Sequence, residues 1–176
     1  MAKKYEIRLS GSGGQGLILA GIILADASLS QGINAVQSQS YGPEARGGAS
    51  KAEVIISQEE IHYPKVQACD LLLCLTQKSY DQYIASLKND GILVVDESIT
   101  IQDDAPYTVY KLPILDIAYK EMKKPMVANI VSLGIISKIV KIVDDEHLLG
   151  AVLKRVPPGT TEINKTAYYK GASLLQ

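Results

Sequence analysis

The residues best placed to do chemistry form two glycine-rich segments, Gly11-Ser12-Gly13-Gly14-Gln15-Gly16 and Ser40-Tyr41-Gly42-Pro43-Glu44-Ala45-Arg46-Gly47-Gly48. The first satisfies G-x-G-x-x-G between a strand pattern and a helix pattern. In that setting glycines permit a tight turn and bring backbone N–H groups close to an anion at a helix N-terminus. Two readings stay open: a cradle for a carboxylate or phosphate, or a turn that packs helix on strand or meets another subunit. A dinucleotide site also needs an acid about 20 residues on, at the end of the second strand. That strand reads Ile33-Asn34-Ala35-Val36-Gln37-Ser38-Gln39, with neither an acid nor an arginine. A Walker A loop is excluded, because Leu17 and Ile18 stand where Lys and Ser/Thr are required.

The second segment follows the second strand and is expected at the same carboxyl edge of the sheet, where open α/β folds bind ligands. Pro43 stiffens it, its glycines allow unusual dihedrals, and Glu44 and Arg46 carry opposite charges. A surface turn with an exposed ion pair would contribute little. Specialised backbone between two strands points to a site, since loops on rigid scaffolds carry function. Asn129 reads either as a helix N-cap or as an amide aimed at a ligand. His62 and His147 have no triad partners and are expected on the surface. No residue is assigned as general acid or base.

The elements that position these loops alternate between strand and helix patterns. Strands are expected over 5–10, 33–39, 52–57, 70–75, 92–96 and 107–112. Helices are expected over 15–31, 78–87, 114–122, 127–143, 144–155 and 161–175, the last capped by Thr160 or Thr161. Helix 15–31 is apolar around nearly its whole circumference and must be covered on more than one side. Gly32 reads as its stop, and Asn89-Asp90-Gly91 as a turn. The alternation predicts one three-layer α/β/α domain spanning 1–176, with a largely parallel sheet and a Rossmann-like glycine loop after the first strand.

Composition narrows the function classes. The chain has 176 residues, 47% of them hydrophobic, with ten tyrosines but no phenylalanine or tryptophan. Its core must therefore rest on Ile, Leu, Val and Ala. Eighteen basic and 19 acidic residues give a net charge of −1 without clusters, which argues against nucleic acid. The most apolar runs fall short of the ~20 residues that span a bilayer, and no signal peptide is apparent, so a cytoplasmic location away from membranes is expected. Two cysteines, Cys69 and Cys74, supply too few ligands for an iron–sulfur cluster or a structural zinc. Their odd spacing along a strand predicts thiols on opposite faces of the sheet, packed in the core.

The two glycine segments in this order, with Ala52-Glu53-Val54-Ile55-Ile56-Ser57, the 91–96 strand and Asn129-Ile130-Val131-Ser132-Leu133-Gly134, closely resemble the gamma subunits of 2-oxoacid:ferredoxin oxidoreductases. Tyr-Gly-Pro-Glu-Ala-Arg-Gly-Gly resembles the 2-oxoglutarate branch, whereas pyruvate and branched-chain branches tend to carry Phe-Gly-Pro-Glu-Arg-Arg. Indolepyruvate oxidoreductase carries a similar domain. The resemblance implies a subunit inactive alone, in an anaerobic complex that converts a 2-oxoacid, coenzyme A and oxidised ferredoxin to acyl-CoA, carbon dioxide and reduced ferredoxin. It implies thiamine diphosphate, magnesium and iron–sulfur clusters on other chains: alpha and beta subunits and a ferredoxin-like delta subunit. Gly11, Gly13, Gly14, Gln15, Gly16, Tyr41, Gly42, Glu44, Arg46, Gly47 and Asn129 are then expected at a shared cavity or subunit boundary. A stand-alone nucleotide-binding reductase and a non-catalytic scaffold are the rival readings.

Overall fold

The apolar runs of this chain close into a six-stranded sheet. A computed structural model describes residues 4–40 and 49–176. The strands are β1 (Lys4–Gly11), β2 (Asn34–Gln39), β3 (Ser50–Ser57), β4 (Cys69–Cys74), β5 (Leu87–Asp96) and β6 (Thr108–Leu112), in spatial order β2-β3-β1-β4-β5-β6. β1, β4, β5 and β6 pair in parallel, while β3 runs antiparallel to both β1 and β2. The sheet is thus largely parallel, as the alternating pattern requires.

Helices α1 (Leu17–Ser30), α3 (Ile114–Asp116), α4 (Ala128–Ile139), α5 (Asp145–Arg155) and α6 (Thr161–Ser173) belong to one face, with α2 (Gln77–Tyr83) on the other. The larger core joins Ile7, Leu9, Val54, Ile56, Leu71 and Leu73 of the sheet to these helices. The smaller joins Ile55, Leu72, Leu93 and Val95 to Tyr80 and Tyr83. The all-round apolar α1 lies on β2 and β3 and is covered from outside by α4 and α5, so the chain itself supplies the cover its pattern demands. Gly32 closes α1 with φ 79°, a conformation that favours glycine. Among the described residues no helix is long and apolar enough to cross a membrane.

Four local expectations change. Asn89-Asp90-Gly91 does not precede its strand but lies inside β5, where pairing slips: Cys69 faces Leu87, yet Leu71 faces Ile92. This bulge absorbs the turn residues. It also breaks the strand alternation, so Cys69 and Cys74 share the smaller core instead of pointing to opposite faces. Helix α4 ends at Ile139, because the next segment buries Val140, Ile142 and Val143 and gives its backbone to Gln31. The Gln31 carboxamide accepts from the Asp144 N–H at 2.8 Å and donates to the Ile142 carbonyl at 3.4 Å. Thr160 precedes α6 without capping it, its hydroxyl donating instead to the Pro157 carbonyl at 2.6 Å.

Candidate functional site

Strand register fixes where the two glycine segments are anchored. Gly11, the last residue of β1, faces Ser50 at the start of β3, and Gln39, the last of β2, faces Ala52. The glycine loop therefore leaves the sheet at the same rim as the β2–β3 connection. Tyr41, Gly42, Glu44, Arg46 and Gly47 lie outside the described residues. The segment's flanks, Ser40 and Ala49, are described.

The glycine loop is closed by its own side chains. Gln15 is 7% exposed and folds back, its Oε1 accepting the Ser12 N–H at 2.8 Å. A Cβ on Gly11 would lie 2.2 Å from that oxygen, so glycine is required there for Gln15 to fit. Ser12, Gly13 and Gly14 form an exposed tip. Gly16 enters α1 with φ 72°, and the Asn129 Nδ2 donates to its carbonyl at 3.0 Å. The Asn129 Oδ1 accepts the Ile130 N–H at 2.8 Å. Asn129 thus sits in the first turn of α4, not at its cap, and joins α4 to the start of α1. The structure brings Asn129 and the glycine loop together. The donor that Gln15 occupies is no longer available to a pyrophosphate.

A charged network missed in the sequence lies on the α2 face of the sheet, centred on the mid-strand pair Arg8 and Glu53. Arg8 of β1 is 6% exposed; its Nε and Nη2 donate to Glu53 Oε1 at 3.1 and 2.8 Å, and Nη2 to the Val66 carbonyl at 3.1 Å. Its Nη1 donates to the Ser86 hydroxyl. Glu53 also pairs with the Lys51 ammonium at 3.1 Å and accepts the Val66 N–H at 3.3 Å through Oε2. Arg8 and Lys51 lie over the Tyr83 ring, 5.4 and 5.5 Å from its centroid. The Tyr83 hydroxyl donates to the Ala49 carbonyl at 3.2 Å. Burial alone would raise the Glu53 pKa, but the Lys51 hydrogen bond and the Arg8 charge outweigh it and hold the carboxyl below its ordinary 4.5. The network ends at a cleft of about 200 Å³ walled by Ser38, Ser40, Lys51, Glu53 and Lys65. An arginine inside a central strand, and a glutamate between apolar neighbours in another, were the available signal: buried charges need partners.

Neither thiol fits a metal or a redox role. Burial pushes Cys74 up to about 12 and raises Cys69 as well, and the two are not joined in a disulfide. Among the described residues no group of three or more His, Cys, Asp or Glu could hold a metal ion. His62 is exposed as expected. His147, by contrast, is half-buried, with Nδ1 3.9 Å from Asp144 Oδ2, because it packs at the first turn of α5.

The fold and rim define a class: a Rossmann-like α/β module whose glycine loop is satisfied from within and tipped with exposed backbone. Residues 6–174 match the pyruvate ferredoxin/flavodoxin oxidoreductase family, and the chain belongs to that family. It is 52% identical over 172 residues to the 2-oxoglutarate synthase subunit KorC of Methanocaldococcus jannaschii, covering 96% of this chain and 92% of that protein. The crystal structure of a keto/oxoacid ferredoxin oxidoreductase gamma subunit from Geobacter sulfurreducens superposes with TM-score 0.88 at 46% identity, over 97% and 98% of the two chains. A 2-oxoglutarate:ferredoxin oxidoreductase from Magnetococcus marinus, solved with 2-oxoglutarate, coenzyme A and succinyl-CoA, shares the fold at TM-score 0.87 and 23% identity. It covers 98% of this chain but 31% of the longer one.

Proposed function

We propose that this chain is the gamma subunit of a 2-oxoglutarate:ferredoxin oxidoreductase and that its rim, from the glycine loop to the β2–β3 connection, faces a cavity shared with other subunits. The observation that carries the reading is the register that sets Gly11 and Gln39 against the first residues of β3. With it go the exposed backbone of Gly13 and Gly14 and the high identity to subunits named for 2-oxoglutarate. Arg46 then meets an anionic group of coenzyme A or of a partner carboxylate, since its planar fork suits bidentate pairing. Glu44 either orients Arg46 or itself reaches across the interface, and Asn129 fixes the glycine loop at Gly16.

Thiamine diphosphate with magnesium supplies the carbanion chemistry when bound, and iron–sulfur clusters carry the electrons. Both are assigned to partner chains: two protonated, buried thiols suit no cluster, and the family resemblance places thiamine diphosphate on other subunits. Alpha and beta subunits and a ferredoxin-like delta subunit complete the cytoplasmic complex, of which this chain forms one domain.

Co-purification of the native complex tests the assembly: partners bearing thiamine diphosphate and four-cysteine cluster motifs support it, and recovery of the chain alone at full activity refutes it. Turnover with 2-oxoglutarate but not pyruvate assigns the substrate; the reverse preference moves the chain to another branch. In the reconstituted complex, Arg46→Ala raises the coenzyme A requirement about tenfold or more, the effect of losing one charged hydrogen bond. Unchanged kinetics remove the ligand role of Arg46.

A further inference from the structure

Four glycines lie inside the long helices of the α1 face without serving as caps, and three account for themselves. Gly21 of α1 is buried on the sheet, where a Cβ would lie 3.2 Å from Ala52 Cβ. A Cβ on Gly134 of α4 would lie 2.0 Å from the Tyr168 carbonyl, and one on Gly171 of α6 would lie 2.0 Å from the Val131 carbonyl. These two helices cross backbone to backbone, and glycine is what lets them. The fourth, Gly150, sits mid-way along α5, is exposed, and would place a Cβ with nothing within 4 Å among the described residues. Glycine is the weakest helix former after proline. The chain's own packing gives no reason to keep it there.

The surroundings of Gly150 are those of an interface. It stands on a ridge between two clefts, one of about 470 Å³ with Leu149, Leu153 and Tyr169 in its walls, the other of about 270 Å³ beside His147 and Asp26. Tyr169 is 52% exposed. One helical turn to either side of Gly150 stand Glu146 and Lys154, both exposed and neither ion-paired among the described residues. Residues four apart share a helix face, so Glu146, Gly150 and Lys154 form one line. That line is self-complementary: turned end for end about Gly150, its acid falls on its base.

We propose that α5 is a homotypic docking helix, on which two copies of this chain pack antiparallel across a twofold axis at Gly150. Glu146 of each copy faces Lys154 of the other, and the leucines and Tyr169 fill the clefts beside the ridge. A twofold contact uses the same patch twice, so residue pairs must satisfy this reversal. Glycine at the axis lets the helices approach as closely as α4 and α6 already do.

Sedimentation of the full-length chain over a concentration series tests the proposal, with circular dichroism confirming the fold of each variant. Wild type shifts to twice the mass of one chain, and Gly150→Phe raises the dissociation constant by at least about tenfold. Glu146→Lys and Lys154→Glu each weaken association, while the two together restore it. Should Gly150→Phe fail to fold, Gly150→Cys gives a second reading, since two copies of residue 150 meet at the axis and mild oxidation links them. A wild-type chain that stays monomeric throughout, or a dimer indifferent to these changes, overturns the proposal. So does a chain that is monomeric alone but loses other subunits on Glu146→Lys, because the surface then belongs to a different partner.

Discussion

Arg8 and Glu53 neutralise each other where water scarcely reaches, and in doing so they hold the stem of the β2–β3 connection. Lys51 and Ala49, both tied to this network, are among the first residues after that connection. Removing one member of a buried pair leaves the other charge uncompensated, so Glu53→Gln destabilises the chain by about 3 kcal/mol in urea unfolding. The sign with pH follows from the lowered carboxyl: the stability Glu53 lends is complete above pH 4.5 and is lost as pH falls through its lower folded value. The acid limb of a stability-versus-pH curve is therefore shallower in Glu53→Gln than in wild type. Gly16 and Asn129 form a second coupled pair. Asn129→Ala costs about 1–2 kcal/mol through the lost hydrogen bond. Gly16→Ala costs more, because its Cβ would lie 2.5 Å from Asn129 Nδ2 and its φ is 72°. In a double-mutant cycle, Asn129→Ala relieves part of the Gly16→Ala penalty but not the dihedral strain. Neither the network nor this pair was legible in the sequence as a contact. Asn129 lies 113 positions from Gly16, and Arg8 45 from Glu53.

Among the helices, glycine plays opposite parts in stability. Gly134→Ala forces apart two backbones and lowers stability by about 2 kcal/mol. Gly150→Ala adds a methyl in open space and raises the stability of the dissociated chain by about 0.5–1 kcal/mol. Both follow from thermal or urea unfolding at low protein concentration. Because a sheet covered on both faces enriches apolar residues in continuous runs, sequence periodicity located every strand and helix, though bounds moved and the helix expected over 114–122 is α-helical only over Ile114–Asp116 before a wider π turn. It failed where tertiary contact overrode local signal. Asn89-Asp90-Gly91 carries strong turn chemistry, yet β4 draws it into the sheet as a bulge. Val140 and Val143 fit a longer helix, but Gln31 gives the backbone there other partners.

The whole molecule closes around its two thiols, which share the core under α2 and have no exposed surface. With Cys74 pushed up to about 12, a thiol reagent at neutral pH reacts only after the fold opens. Labelling rates consequently report the free energy of opening and fall in step with stabilising substitutions; fast labelling of the native chain would contradict this packing. At this scale the carboxyl rim was legible as an expectation from motif order, whereas the reversal of β3 was not. That reversal has a consequence for how the enzyme can vary. In an all-parallel sheet the chain leaving β2 must travel the length of the domain before re-entering, usually through a helix. Here β2 is followed in the chain by its own antiparallel neighbour β3, with no helix among the described residues between the two strands to be carried along, so residues joining them can be added or trimmed while every helix stays where it is. The segment between β2 and β3 is thereby uncoupled from the architecture that carries it, much as an interchangeable tool is uncoupled from its handle.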